Sequence, residues 1–399
     1  MQTTPRGNRL HIAIFGRRNS GKSSLINALT GQEIALVSSV PGTTADPVYK
    51  AMEILPVGPC MLIDTAGIDD TGDLGELRAR KARRVLEETD LAIMVIDPVA
   101  DINDFETHLK EEIEKHGIPL ITVVNKIDTG LADLDSLQKS LDIPLLGISA
   151  LTGEGIPQLK ERIIQLAPAG FEDHPIAGDL INPGDVILLV VPIDKAAPKG
   201  RLILPQVQTI RDILDHGGTA FVTRDSELPQ ALTQLKQPPH LVITDSQVFP
   251  YVDAIVPPSV PLTSFSILFA HSKGDLQELA RGAEAVNQLR SGDMVLIAEA
   301  CTHHRQDDDI GRVKIPRLLQ QRVGGLDFHW YSGFTYPENL GDYKLIIHCG
   351  GCMINRRQML YRINKAREKG VPIVNYGVLL AFLHGILERS LAPFSLKNT

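Results

Sequence analysis

His11-Ile-Ala-Ile-Phe-Gly16-Arg-Arg-Asn-Ser-Gly21-Lys22-Ser23-Ser24 decides how the first part of the chain folds. An apolar, strand-sized run enters a turn that fits G-x-x-x-x-G-K-[ST], and the following SSLINALTG has helical spacing. A strand, a glycine-rich turn and a helix in that order aim backbone N–H groups and the positive end of a helix dipole at one point, which suits a phosphate. Gly16, Asn19, Ser20, Gly21, Lys22, Ser23 and Ser24 are therefore expected to line a nucleotide. Lys22 is placed to neutralise β- and γ-phosphate charge, and Ser23 to offer its hydroxyl to Mg²⁺.

The companions of this loop lie at the ends of later apolar runs. Asp64-Thr-Ala-Gly67 ends CMLID, where a carboxylate can hold Mg²⁺ through water and a glycine N–H can meet a γ-phosphate. Thr43 and Thr44 fall between the two motifs, where a switch threonine completes the Mg²⁺ shell. Asn125-Lys126-Ile-Asp128 ends LITVVN. A carboxylate there accepts from guanine N1–H and N2–H₂, a donor pair that adenine lacks, so Asp128 argues for GTP. Ser149-Ala150 ends LLGIS, within reach of the guanine O6. All lie at predicted strand C-termini, where α/β sheets bind ligands. Lys22, Thr44, Asp64 and Gly67 are the candidate catalytic set.

The strand–helix alternation over this region implies a mainly parallel sheet covered on both faces. The 399 residues exceed one domain, and 43% hydrophobic with 22% charged residues excludes a disordered or fibrous chain. Three parts are expected: a GTPase domain over 8–170, a second α/β domain over 178–262 and a third over 263–395. The fold class is α/β throughout, the two later domains being small and built on parallel sheets. The Gly/Pro/Asp-rich stretch GFEDHPIAGDLINPGD reads as a linker, and the proline-dense 250–265 as another boundary. The net charge of −8 gives no general field for nucleic acid or anionic lipid. The N-terminal MQTTPRGNRLHIAIFG has no apolar run of signal-peptide length, so a cytoplasmic protein with no membrane contact is expected.

Four cysteines are too few for a disulfide scaffold in a chain of this length. Cys60 sits in an apolar run and reads as core. The other three cluster with histidines: Cys301-Thr-His303-His304 after MVLIAEA, and His348-Cys349-Gly-Gly-Cys352 after YKLIIH. If the two strands are neighbours in a parallel sheet, both groups converge on one crevice. Zinc with Cys₃His ligation and an iron–sulfur cubane with three thiolates both fit these residue types. A weaker fourth ligand would come from His303, His304, His348, an acid or an outside molecule.

The phosphate loop and its companions resemble the translation-factor-related GTPases of the Era/TrmE-like group. Ile68 follows Asp64-Thr-Ala-Gly67 where Ras-like enzymes place a water-orienting glutamine. Asn19 matches the asparagine of potassium-activated members, and implies slow, K⁺-stimulated hydrolysis. C-x-H, a long gap and H-C-x-x-C downstream of such a domain resemble the HydF family of [FeFe]-hydrogenase maturation GTPases. EACTHHRQDDDIGRVKIPR and YKLIIHCGGCMINRR look like that family as well. The resemblance implies a [4Fe–4S] cluster on Cys301, Cys349 and Cys352, with His303 and His348 as the motif histidines. It further implies that 178–262 is a dimerisation domain and 263–395 an iron–sulfur cluster-binding domain, in a homodimeric scaffold or carrier for the two-iron subcluster. The radical-SAM maturases HydE and HydG and the apo-hydrogenase are the implied partners, and no nucleic acid is expected. The alternative is an Era-like GTPase acting on RNA or the ribosome, with a structural zinc site.

Overall fold

The structure, a computed structural model, describes residues 4–31, 47–65, 81–98, 104–130, 134–141, 143–168, 174–193, 202–300, 309–333, 336–337 and 339–395. Thr43, Thr44, Gly67, Ile68, Cys301, His303 and His304 lie outside the described residues. The chain forms two compact units, Met1–Phe171 and Glu172–Thr399.

The first unit is built on six strands: β1 (Leu10–Gly16), β2 (Val48–Ile54), β3 (Gly58–Asp64), β4 (Leu91–Ile96), β5 (Leu120–Val124) and β6 (Leu145–Gly147). Their order is β2-β3-β1-β4-β5-β6. Every pair is parallel except β2 with β3. Helices α1 (Lys22–Thr30), α2 (81–86), α3 (Asp104–Lys115), α4 (Leu134–Leu141) and α5 (Ile156–Leu166) connect the strands. Alternate strand residues feed two cores. Ile12, Ile14, Leu62 and Ile93 join Leu25, Leu29, Leu159 and Ile163 on one face. Ala13, Phe15, Ile63 and Met94 join Val85, Leu109 and Ile113 on the other. Burying such side chains contributes about 1.5–3 kcal/mol each, and sheets buried on both faces read as continuous apolar runs. Strand β2, the antiparallel edge strand, lacks that signature: VYKAMEI mixes exposed, half-buried and buried positions. The motif-led reading passed over it. Cys60 is fully buried in the first of these cores, as expected, and burial pushes its thiol up to about 11.

The second unit holds two four-stranded parallel sheets. One has β7 (Val186–Val190), β8 (Thr219–Thr223), β9 (Leu241–Thr244) and β10 (Leu262–Ser264) in the order β10-β9-β7-β8. The other has β11 (Met294–Glu299), β12 (Asp327–Ser332), β13 (Leu345–His348) and β14 (Ile373–Asn375) in the order β12-β11-β13-β14. Nine helices complete it: α6 (Leu204–Asp215), α7 (Leu228–Gln234), α8 (Phe249–Ile255), α9 (Phe265–Lys273), α10 (Leu276–Glu284), α11 (Ile315–Arg322), α12 (Arg356–Glu368), α13 (Tyr376–Leu383) and α14 (Leu387–Ser395), counted among the described residues. The proline-dense stretch is structured. Pro250 sits in the first turn of α8, where a missing N–H costs nothing, and β10 follows. Leu188, Val190 and Val242 of one sheet share an apolar core with Val295, Ile297 and Leu345 of the other. Arg389 of α14 ties back with an ion pair to Asp253 (2.7 Å) and a hydrogen bond to the Pro257 carbonyl. Among the described residues, no helix is long and apolar enough to cross a membrane.

Candidate functional site

In the first unit, β1 and β3 are neighbours, so the loop after Gly16 and the carboxylate of Asp64 meet at one sheet edge. Lys22 opens α1 and is buried; its Nζ donates to the carbonyls of Gly16 (3.0 Å) and Arg17 (2.6 Å). The two expected Mg²⁺ ligands face each other, Ser23 Oγ donating to Asp64 Oδ2 at 2.6 Å. Burial raises the Asp64 carboxyl above its ordinary range, against the pull of the Ser23 hydroxyl and the charges of Lys22 and Lys50. Lys50 stands opposite Leu62 on the β2–β3 ladder, two residues along from Asp64, and burial lowers its ammonium. Ser20 is buried, Ser24 half-buried and Asn19 exposed with a φ of 60°.

A polar lattice joins this loop to the base-reading loops. Asn125 is buried; its Nδ2 donates to Ser20 O (2.9 Å) and its Oδ1 accepts from Ala150 N (3.0 Å). One amide thus fixes three loops. Gly21 lies against it with a φ of 92°, and a Cβ there would collide with Asn125 Nδ2. Lys126 donates to Asn19 O (2.8 Å) and to Asp97 at the end of β4 (2.6 Å). Ser149 Oγ donates to Asp128 Oδ1 (2.6 Å) and accepts from Thr152 N (3.1 Å). The residues of the Asn125, Ser149 and phosphate-loop motifs therefore come together. The sequence reading missed Lys50 and Asp97. Asp97 stands at a strand C-terminus, the signal by which it could have been found. Lys50 carries no motif.

In the second unit, β11 and β13 are adjacent and parallel, with Ala298 paired to His348. The strand preceding Cys301 and the strand ending in His348-Cys349 thus leave the sheet side by side. Ala300 N donates to Cys349 Sγ at 3.1 Å, which ties the two loops one residue before Cys301. Cys349 is buried, Cys352 half-buried, and neither is in a disulfide. Gly351 lies in the turn between Cys349 and Cys352 with a φ of 64°, and a Cβ there would collide with Met359.

His348 is fully buried with both ring nitrogens engaged. Nδ1 donates to Cys349 O (2.6 Å), and Nε2 accepts from Arg362 Nη1 (2.7 Å). In this arrangement a metal at Nε2 would have to displace Arg362. Arg362 is itself buried, donates to Gly333 O (2.7 Å), and lies 5.0 Å from the Tyr336 ring centroid. Lys273, at the end of α9, donates to the carbonyls of Cys352 (3.2 Å) and Ile354 (3.0 Å). Burial pushes its ammonium down to about 8, the nearby Cys352 thiol opposing. No group of three metal-ligating side chains occurs among the described residues. Two cysteine side chains outside any disulfide on one turn, one accepting an N–H, with buried cations around them, fit a thiolate-held metal group.

Residues 11–126 match the family model for a 50S ribosome-binding GTPase, 176–274 the hydrogen maturase F dimerization domain, and 277–393 the hydrogen maturase F tetramerization domain. The description for the cysteine-bearing segment thus names assembly rather than metal. The chain is 37% identical over 163 residues to the tRNA modification GTPase MnmE of Aquifex aeolicus, covering 41% of this chain and 35% of that protein. It is 37% identical over 169 residues to GTPase Der of Nautilia profundicola, covering 39% and 36%. Among solved structures it is similar to Aquifex aeolicus Era bound to GDP.AlF4-, with 22% identity, a TM-score of 0.37, and 57% and 98% of the two chains covered. The chain spans about a third of the length of the curated relatives it matches. It carries a P-loop GTPase domain followed by both hydrogen maturase F domains, which together span more than half of its residues, and it belongs to the HydF family of hydrogenase-maturation GTPases.

Proposed function

We propose that the protein is a GTP-hydrolysing scaffold or carrier whose cysteine centre holds a [4Fe–4S] cluster and serves assembly or delivery of the two-iron subcluster of [FeFe]-hydrogenase. One observation carries the reading: the Ala300–Cys349 hydrogen bond joins the two cysteine loops at adjacent strand ends, in a chain of the HydF family. Cys301, Cys349 and Cys352 would hold the cluster, which supplies an iron site for an incoming metal unit. His348 acts from behind: it fixes the Cys349 carbonyl and receives Arg362.

The GTPase half works through its own residues. Lys22 exchanges carbonyl contacts for phosphate oxygens. Ser23 and Asp64, already in contact, form the Mg²⁺ corner together with Thr44, while Gly67 meets the γ-phosphate. Mg²⁺ there neutralises charge on the β- and γ-phosphates. Asp128, oriented by Ser149, reads guanine, and Asn125 with Ala150 backs it. Asn19 is the K⁺ residue, so replacing Na⁺ by K⁺ raises turnover; an unchanged rate removes that role.

The dimerization and tetramerization domain matches support self-association; the reading takes a homodimer as the working unit and HydE, HydG and apo-hydrogenase as partners. The test is metal and sulfide analysis of protein purified without oxygen. About four iron and four sulfide per chain support the cluster. A colourless protein with one zinc supports instead the RNA- or ribosome-associated GTPase, which the description of the N-terminal family favours.

A further inference from the structure

We propose that Lys273 and Arg362 are the built-in counter-charge of the cysteine centre: two buried cations that hold a net-negative thiolate–metal group and set its reduction potential. The inference rests on the cluster reading and adds residues to that site.

Buried charges are expected to be paired, because desolvating an ion costs several kcal/mol when nothing offsets it. Lys273 is 6% exposed and Arg362 2% exposed. Neither has a carboxylate within ion-pair distance among the described residues. Lys273 rests on two backbone carbonyls beyond Cys349 in the same turn, those of Cys352 and Ile354, and lies over the Phe269 ring at 5.4 Å. Arg362 rests on the His348 ring, the Gly333 carbonyl and the Tyr336 ring, and its Nε has no partner. They belong to different helices, α9 and α12, yet both hold groups of the His348–Ile354 segment. Arg362 reaches Cys349 through His348, and Lys273 reaches Cys352 directly. Two unrelated elements thus bring positive charges to one loop, where the thiolates of the cysteine centre would be the matching anions. Helix α12 adds to this. It starts at Arg356 with Asn355 as its cap, so its positive end opens just after Cys352.

A thiolate-held iron–sulfur core is net negative and gains a further negative charge when it takes one electron. Fixed cations nearby favour the reduced form and raise the potential. Both residues act through the loop, as positioning and tuning groups, and neither ligates metal.

The test uses the full-length protein, reconstituted with iron and sulfide without oxygen and reduced by dithionite in a dye-mediated titration. Iron per chain and the midpoint potential are the readouts. Lys273→Met and Arg362→Gln are expected to lower the ratio of reduced to oxidised cluster at a fixed potential at least tenfold, 59 mV for one electron. Lys273→Arg and Arg362→Lys restore most of it. A wild-type potential in Lys273→Met at wild-type iron content overturns the inference and leaves the cluster reading intact. Equal losses in the neutral and charge-keeping variants also overturn it, since a purely packing role predicts that. If Arg362→Gln does not yield folded protein, the Lys273 pair decides alone. Wild-type protein that takes up no iron overturns the cluster reading itself, a result distinct from either of these.

Discussion

Two strand ends carry the chemistry, and they are built differently. At the end of the first unit's sheet, polar groups are matched to one another: Ser23 with Asp64, Lys126 with Asp97, Asp128 with Ser149, and Asn125 with two loops. At the end of the β11–β13 pair, buried Lys273 and Arg362 are held by carbonyls and a histidine. Lys22 is instructive here because its Nζ also rests on carbonyls, those of Gly16 and Arg17. It is the cation of the nucleotide site that trades these contacts for an anionic ligand. A buried cation on carbonyls is thus common to both sites, and it marks where negative charge is to arrive. In the nucleotide site the matching is incomplete, since the buried Ser20 Oγ and Lys50 Nζ have no hydrogen-bond partner among the described residues. The cysteine centre has two such cations, which suits a resident anion.

The comparison breaks most sharply if the sites are not separable. Lys22→Ala removes the charge that meets the phosphates, and GTP turnover is expected to fall about a thousandfold or more. Iron content should remain at the wild-type value. Iron lost together with turnover would show the two units forming one cooperative site. Conversely, Cys349→Ser and Cys352→Ser each take away one of three strong iron ligands, and iron should drop from about four per chain to below one. GTP turnover in these variants stays within about twofold if the comparison holds. Retention of a full cluster in either variant would remove these cysteines from the ligand set.

A smaller effect sharpens the matched character of the nucleotide site. Gly21 has a φ of 92° and no room for a Cβ beside Asn125. Gly21→Ala forces a strained backbone, costing about 1–3 kcal/mol, or displaces the amide that joins Ser20 to Ala150. Nucleotide affinity should weaken about tenfold to a hundredfold, by the same free energy. Unchanged GDP affinity, measured by calorimetry, would mean that the loop tolerates the shift and that Asn125 is not its anchor.

Much of this was legible in the sequence, for identifiable reasons. Strands buried on both faces, such as Leu91–Ile96, announce themselves as unbroken apolar runs. Loops that must bind phosphate or metal announce themselves as Gly, Lys and Cys at fixed spacing. Edge strand β2 did not, because half of its residues face outward. Helix α9 did not either: FSILFAHSK is buried nearly all round and has no polar face to give it a helical period. Lys273 and Arg362 were illegible for a different reason. Each is an ordinary basic residue on a helix, and only the fold shows that the helix buries it against the cysteine turn. The hydrogen-bonding role of His348 was hidden likewise, since the motif names a histidine and leaves open which way its nitrogens are used.

The smallest effect tests whether the matching in the nucleotide site extends to the base. Ser149 Oγ donates to Asp128 Oδ1 and accepts from Thr152 N, so the hydroxyl both aims the carboxylate and closes its own turn. Ser149→Ala removes a hydrogen bond to a charged group, worth roughly 1.5 kcal/mol, or about a tenfold weakening of GDP binding. Ser149→Thr keeps the hydroxyl and should stay close to wild type. The two jobs of the hydroxyl separate with inosine diphosphate, whose base lacks the N2 amino group and offers Asp128 only one donor. If Ser149 aims Asp128, Ser149→Ala costs GDP more than inosine diphosphate, and the preference between them shrinks. If it only closes the turn, both nucleotides weaken by the same factor, and guanine selectivity then rests on Asp128 without help from its neighbour. An unchanged affinity for both would mean that the Ser149–Asp128 contact gives way when nucleotide enters, as the carbonyl contacts proposed for Lys22 do.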